Sequence, residues 1–395
     1  MNIAVPSRCV EFHVLAKPTG AACNLECSYC FYLPKRELYP GSRFRMSAEV
    51  LETYIRELIE SHEAPEVTIA WQGGEPTLMG LDFFRQSVRL ADRYRKAGTQ
   101  IRHSIQTNGT LLDDRWGGFL KQHDFLVGIS IDGPRPVHDA FRRGRRGRPS
   151  FDRVMRGLEI LRKHDVRFNT LTCLHSGNAD YPLDLYRFLR DACGSRFLQF
   201  IPVVERAGES AVSERSIRPS QLGRFYIDMF DEWVKKDVGT VFVQMFDSTL
   251  ANWVKAPPSM CVHAERCGGA VALEHNGDVY SCDHFVGPEH RLGNIAGPRL
   301  LDLVLSPVQL KFGRNKSDQL PSCCRACDVR FACNGGCPKD RFSAAPDGEQ
   351  GLNYLCQGFR DFFAHSAPAM NVMTQLLAQR RAPSEIMRNY AGTRR

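Results

Sequence analysis

A chain of 395 residues exceeds the length at which a single hydrophobic core usually stops growing, so two domains are expected, one of which can be small. With 43% hydrophobic and 24% charged residues it has the composition of an ordinary soluble globular protein. No apolar stretch approaches the roughly 18 residues of a membrane span, and the opening "MNIAVPSRCVEFHVLAKPTG" has no apolar core behind a basic start, so no membrane partner and a cytoplasmic location are expected. The net charge of +8 is spread along the chain, and only "RRGRRGR" (142–148) is a true basic run. It reads as a solvated loop with Arg142 turned inward, and with no recognisable RNA-binding module a nucleic-acid partner is not expected. Fifteen cysteines, an odd number, do not make a disulfide framework in a cytosolic protein, which leaves metal ligation as the economical explanation.

In chain order, the first part repeats a short β-branched or aromatic run followed by a longer helical pattern. The strand candidates are "FHVLAKP" (12–18), "EVTIAWQGG" (66–74), "IRHSIQTNG" (101–109), "FLVGISIDG" (125–133), "RFNTLTCLH" (167–175) and "RFLQFIPVVE" (196–205). Helical patterns lie between them, such as 47–62, with a Ser cap and Glu49 in its first turn, and 81–98. Six such units imply a parallel sheet with helical crossovers, either an incomplete barrel or an open doubly wound sheet.

"CNLECSYCFY" (23–32) follows the first strand directly, at the strand end where α/β folds build sites. Structural zinc wants four ligands; no fourth is near, and His13 lies on the strand side. Three thiolates suit a [4Fe-4S] cluster with one iron left open, with a zinc or other cluster site, or chance spacing, as the alternatives. "QGGEP" (72–76), "QTNGT" (106–110) and "SIDG" (130–133) end the next three strands and bring Asn108, Ser130 and Asp132 to the same rim, although such sequences are also plain turn chemistry. After about residue 240, Gly, Pro and Cys punctuation replaces the long helices, and nine cysteines fall between 261 and 356. Bound metal is the candidate for holding that segment together.

The CxxxCxxC run, with Tyr29 before and Phe31 after its third cysteine, resembles the signature of the radical S-adenosylmethionine (SAM) enzymes. The resemblance implies that Cys23, Cys27 and Cys30 hold a [4Fe-4S] cluster whose open iron chelates SAM, and that reductive cleavage of SAM yields a 5′-deoxyadenosyl radical. It further implies that Gly73, Gly74 and Glu75 bind the SAM amino group. Asn108, Ser130 and Arg142 are then further SAM contacts, Arg142 through a charge-assisted bond to the carboxylate. The pattern Cys261, Cys267, Cys282, Cys324, Cys327, Cys333, Cys337 and Cys356 resembles the SPASM extension of these enzymes, which carries two auxiliary [4Fe-4S] clusters. The resemblance, and not the spacing, assigns Cys261, Cys267, Cys282 and Cys337 to one cluster and Cys324, Cys327, Cys333 and Cys356 to the other. Cys9, Cys173, Cys193 and Cys323 are left over; Cys173 and Cys193 read as small core residues, and Cys323 leaves a one-residue ambiguity of register. The implied α/β architecture is a partial (β/α)6 TIM-like barrel (1–240), a small cysteine-rich SPASM domain (241–370) and a helical tail (371–395).

"SIQTNGTLLDD" (104–114), "LQFIPVVER" (198–206), "EHNGDVYSCDHFV" (274–286), "CDVRFACNGGCPKDRF" (327–342) and "GLNYLCQGFRDFF" (351–363) are similar to the anaerobic sulfatase-maturating enzymes. That family implies oxidation of a peptidyl cysteine or serine, in a C/S-x-P/A-x-R sulfatase motif, to Cα-formylglycine. Asp283, directly after Cys282, is the candidate general base. Tyr32 and Gln72 are expected to line the target side chain. The implied partners are an unfolded or nascent sulfatase and a flavodoxin or ferredoxin donor, with the enzyme a monomer. A different SPASM peptide modifier, forming thioether or carbon-carbon crosslinks, and a non-catalytic electron carrier are the competing readings. The preference for cysteine or serine is not legible.

Overall fold

A computed structural model describes residues 12–208 and 211–390; Cys9 lies outside them. All six predicted strands form: β1 (His13–Lys17), β2 (Glu66–Trp71), β3 (Gln100–Thr107), β4 (Phe125–Ser130), β5 (Phe168–Leu174) and β6 (Phe197–Pro202). Between them run α1 (Ala48–Ser61), α2 (Leu81–Tyr94), α3 (Asp114–Gln122), α4 (Arg135–Phe141), α5 (Phe151–Lys163) and α6 (Pro182–Arg187). α1 shows why the local reading succeeds. Ser47 caps it by accepting from Val50 N–H, Glu49 complements the helix dipole, and Leu51, Tyr54, Ile55 and Leu58 form one buried stripe.

A small ribbon, β7 (Arg206–Ala207) with β8 (Ala211–Val212), precedes α7 (Pro219–Lys236), β9 (Phe242–Val243) and α8 (Gln244–Trp253). Strands β1 to β6 lie side by side in sequence order, β9 follows β6, and every one of these pairs is parallel. An order that never reverses has no topological switch point, so right-handed crossovers all fall on one face and the sheet coils toward a barrel. This decides against the doubly wound alternative.

The cysteine-rich part joins the same sheet. β10 (Ala270–Glu274) pairs in parallel with β1, from His13 opposite Ala270 to Lys17 opposite Glu274. β11 (Asp278–Tyr280) and β12 (Arg291–Asn294) continue outward antiparallel, giving ten strands in all. Strand pairing therefore runs across the expected boundary near residue 240. α9 (Leu300–Val304), α10 (Pro307–Asp318), α11 (Ser322–Arg325), α12 (Arg330–Cys333) and the ribbon β13 (Ser343–Ala344) and β14 (Gln350–Leu352) follow. α13 (Cys356–Ala378) runs through the expected start of the tail and packs on α7 and α8, where Phe362 meets Tyr226 and Phe230 of α7 and Phe246 of α8. No helix among the described residues is long and apolar enough to cross a membrane.

Candidate active site at the carboxyl ends of the strands

The loop carrying Cys23, Cys27 and Cys30 is gripped from two sides. Just past β2, Gly74 N–H and Glu75 N–H donate to Gly20 O and Ala22 O at 2.8 and 2.9 Å. A Cβ on Gly74 would lie 2.0 Å from Ala22 O, and one on Gly73, whose φ is +118°, 2.9 Å from Gly20 O. The close approach these glycines permit is thus first an approach of the chain to itself. On the other side Glu26 N–H and Ser28 N–H donate to Arg143 O and Phe141 O at 2.7 and 3.0 Å. The start of the basic run therefore clamps the loop through its backbone, while Arg143, Arg145, Arg146 and Arg148 are exposed and Arg142 is buried, as the sequence reading expects. Gly74→Ala is expected to destabilise the fold by about 1–3 kcal/mol through overpacking. Denaturant midpoints and iron content per chain check this, and both should fall.

Burial pushes the Cys23 thiol up to about 12, with Glu75 adding to the effect, while Leu25 N–H opposes it. Burial also raises Cys27, to about 11, against the pull of Arg142. Cys23 Sγ accepts from Leu25 N–H at 3.3 Å and from Asn108 Nδ2 at 3.7 Å. Among the described residues, no three His, Cys, Asp or Glu side chains are close enough together to hold a single metal ion. Zinc would draw its sulfurs to within about 4 Å of one another, whereas an iron-sulfur cube takes each cysteine at a separate corner. Three cysteines on one loop at the strand ends offer a thiolate to each of three corners of such a cube.

Glu75 is fully buried. Its Oε1 accepts from Thr77 N–H (3.0 Å), Thr77 Oγ1 (2.6 Å) and Thr107 Oγ1 (2.7 Å), and Oε2 accepts from Asn108 N–H (2.7 Å). The carboxylate ties the end of β2 to the end of β3. The backbone remains available, because the carbonyls of Gly73 and Gly74 accept no backbone hydrogen bond among the described residues. The Asn108 side chain is also engaged, donating to Asn24 Oδ1 at 2.8 Å and accepting from Thr110 N–H at 3.0 Å. Ser130 Oγ accepts from Gln106 at 3.1 Å. Arg142 Nη1 donates to the Tyr29 hydroxyl at 3.0 Å, and that hydroxyl donates to buried Asp132. Arg142 Nε is buried and has no partner among the described residues. Burial works against the Arg142 charge, but Tyr29, Cys27 and Asp132 outweigh it.

A second network forms where β1 meets β10. Lys17, whose side chain is 2% exposed, donates to Gln72 Oε1 at 3.0 Å and lies 4.6 Å over the Tyr32 ring. It also meets Asp283 Oδ1 as an ion pair without hydrogen-bond alignment. The Tyr32 hydroxyl donates to Glu274, which stands opposite Lys17 in the strand register. Tyr32, Gln72 and Asp283, predicted from three separate stretches, thus meet on one buried ammonium. The Asp283 side chain is 17% exposed. His284, held down at about 4 by burial and so neutral at ordinary pH, lies 4.8 Å from the exposed ring of Phe31. Sequence reasoning missed Lys17 and Glu274. Their one signal is a charged residue closing an apolar strand, in "HVLAK" and "AVALE".

The later cysteines sort into two groups by the charges they sense. Burial raises Cys282, and Asp283, Cys337 and Cys261 add to it; Cys267 senses Cys261, and Cys337, pushed up to about 12 by burial, senses Cys267. Burial takes Cys333 to about 11 with help from Cys324 and Cys327, and Cys356 to about 11 with help from Cys333 and Cys327. Cys323 lies beside both Cys324 and Cys356. The cavity of about 570 Å³ between α2 and α3 contains none of these residues.

A thiol trio at the rim of a coiled parallel sheet, followed by two further thiol groups, defines a radical SAM protein with an iron-sulfur extension. The chain matches the Radical SAM superfamily over residues 18–189 and an iron-sulfur cluster-binding domain, SPASM, over residues 261–328. It is 45% identical, over 95% of its length and 94% of the relative's, to a serine-type anaerobic sulfatase-maturating enzyme of Bacteroides thetaiotaomicron. It is 32% identical, over 90% of its length and 96% of the relative's, to a cysteine-type anaerobic sulfatase-maturating enzyme of Clostridium perfringens. The solved structure of native anSMEcpe with bound AdoMet and Cp18Cys peptide superimposes with a TM-score of 0.84 at 32% identity, covering 92% of this chain and 99% of that one. The chain belongs to the anaerobic sulfatase-maturating enzymes.

Proposed function

We propose that this enzyme oxidises a serine or cysteine side chain of a sulfatase polypeptide to Cα-formylglycine. The observation that carries this reading is the convergence of Tyr32, Gln72 and Asp283 on Lys17, with Asp283 directly beside Cys282. Cys23, Cys27 and Cys30 would hold a [4Fe-4S] cluster, and SAM bound to it would supply the radical that takes the target Cβ hydrogen. The free carbonyls of Gly73 and Gly74 suit the SAM ammonium, and the unpartnered Nε of Arg142 suits its carboxylate, with Ser130 and Asn108 beside them. Tyr32 and Gln72 line the target side chain, and Asp283 takes its hydroxyl or thiol proton. Cys261, Cys267, Cys282 and Cys337 form one auxiliary [4Fe-4S] site and Cys324, Cys327, Cys333 and Cys356 the other, groups that supply an acceptor for the departing electron. The grouping of the thiols supports this division. The higher identity to a serine-type relative supports serine as a target. A flavodoxin or ferredoxin is the proposed reductant, for a monomeric cytoplasmic enzyme.

The test is an anaerobic incubation of cluster-loaded protein with SAM, dithionite and peptides carrying S-x-A-x-R or C-x-P-x-R, read by mass spectrometry. The serine peptide should lose two hydrogens, and the cysteine peptide should lose two hydrogens and exchange sulfur for oxygen, each with matching 5′-deoxyadenosine. SAM cleavage with both peptides untouched would overturn the assignment.

A further inference from the structure

Two cations lie between the C-terminal cysteine groups, and the reaction as described uses neither. Lys316 on α10 is fully buried, and its Nζ donates to Cys261 O at 2.6 Å, to Val262 O at 3.0 Å and to Ala264 O. Arg341 caps the turn between Cys333 and Cys337. Its Nε donates to Gly335 O and its Nη2 to Asn334 O, both at 3.0 Å. Asn334, Gly335 and Gly336 all have left-handed φ, of 47°, 71° and 62°, and the guanidinium covers the carbonyls of that turn. Arg341 Nη1 also donates to Lys316 O at 2.6 Å, which ties the two cations into one unit.

All these partners are carbonyls. Among the described residues neither cation forms an ion pair with a carboxylate, whereas Lys17 meets Asp283. Paired charges would make a neutral structural cross-link; unpaired ones leave net positive charge in the protein interior. Lys316 holds the carbonyl of Cys261, and the turn that Arg341 covers joins Cys333 of one group to Cys337 of the other. Around Arg341 stand Cys324 and Cys333 from one group and Cys267 and Cys337 from the other; around Lys316 stand Cys267, Cys261 and Cys337.

Given the ligand assignment proposed above, we infer that Lys316 and Arg341 form a fixed positive bridge that raises the reduction potentials of the auxiliary clusters, Arg341 acting on both sites and Lys316 on the Cys261, Cys267, Cys282 and Cys337 site alone. As the target carbon radical forms its double bond to oxygen or sulfur, it gives one proton to Asp283 and one electron to an auxiliary site, which is reduced by one. A neighbouring cation stabilises the extra negative charge of the reduced state, in which net charge and surrounding hydrogen bonds set the potential. The bridge makes Lys316 and Arg341 positioning residues for the electron; neither touches the reacting atoms.

The test is an EPR-monitored redox titration of full-length, cluster-loaded protein, with iron determined on every sample. Arg341→Met should shift the reduction equilibrium of both auxiliary clusters at least tenfold toward the oxidised state, about 59 mV for a one-electron couple. Lys316→Met should shift one of the two. Arg341→Lys, which keeps the charge but not the planar fork, should stay close to the parent. Unmoved midpoints in Arg341→Met would overturn the bridge, as would equal displacement in Arg341→Met and Arg341→Lys, since a purely capping role depends on the fork. If Lys316→Met does not fold, the two Arg341 variants decide alone. A parent protein with no iron beyond the first cluster would overturn the ligand assignment, and the bridge with it.

Discussion

Asp283→Asn is expected to uncouple the two halves of the reaction: 5′-deoxyadenosine continues to form while the aldehyde product falls by about 10²–10⁴-fold, the usual worth of a positioned base. Asparagine keeps the size of the side chain but cannot take the proton released as the C=O or C=S bond forms. It also leaves the Lys17 ammonium, 2% exposed, facing a neutral group. Among the described residues Arg142, Ser130 and Gly73 share no hydrogen bond or ion pair with Asp283, so binding and cleavage of SAM should survive. Quantifying both products in one anaerobic incubation checks this, and full aldehyde yield would remove Asp283 from the role of base.

Lys17→Met should be nearly as damaging for a different reason. The ammonium holds Gln72 by a hydrogen bond, Asp283 by charge and the Tyr32 ring by a cation-π contact, so one substitution releases three groups from a common anchor. Misplacement of such groups by about 1 Å can cost on the order of 10²-fold, and that is the expected loss of product. Breaking a fully buried ion pair costs about 3–5 kcal/mol; Asp283 is partly exposed, so the stability loss should be smaller. Lys17→Arg should not rescue, because the guanidinium is larger and planar and the site is closed. Product yield, SAM cleavage without peptide and the thermal midpoint together test this. An unchanged ratio of aldehyde to 5′-deoxyadenosine would exclude Lys17 from the site.

Lys17 also shows where reading the sequence stops. The six strands, the cluster loop and the rim turns were legible because strand alternation, capping and cysteine spacing are local. Lys17 and Glu274 were not, because their meaning depends on β1 lying beside β10, a pairing between segments some 250 residues apart. The anchoring role of Glu75 was out of reach for a related reason. In "GGEP" a carboxylate looks available for a ligand, and only the arrival of Thr107 and Asn108 from β3 reveals that the fold already uses it. The grouping of the later cysteines depends on how elements such as α12, with Cys333, and α13, with Cys356, come together, which spacing does not encode.

The pairing of β1 with β10 also governs how the protein is made. β1 lies in the interior of the sheet, yet its neighbour on one side starts some 250 residues later, at Ala270. At translation rates of about 5–20 residues per second, β1 waits for about 10 to 50 s with one edge open. During that interval the Cys23–Cys30 loop has neither Glu274 nor Asp283 beside it. Assembly is thus dominated by a contact of long sequence separation, the slow kind, and the waiting edge is the part most exposed to wrong pairing. The neighbours of the first site on this side are complete only after more than two thirds of the chain has been made, and fragments ending before Ala270 should be recovered as aggregates.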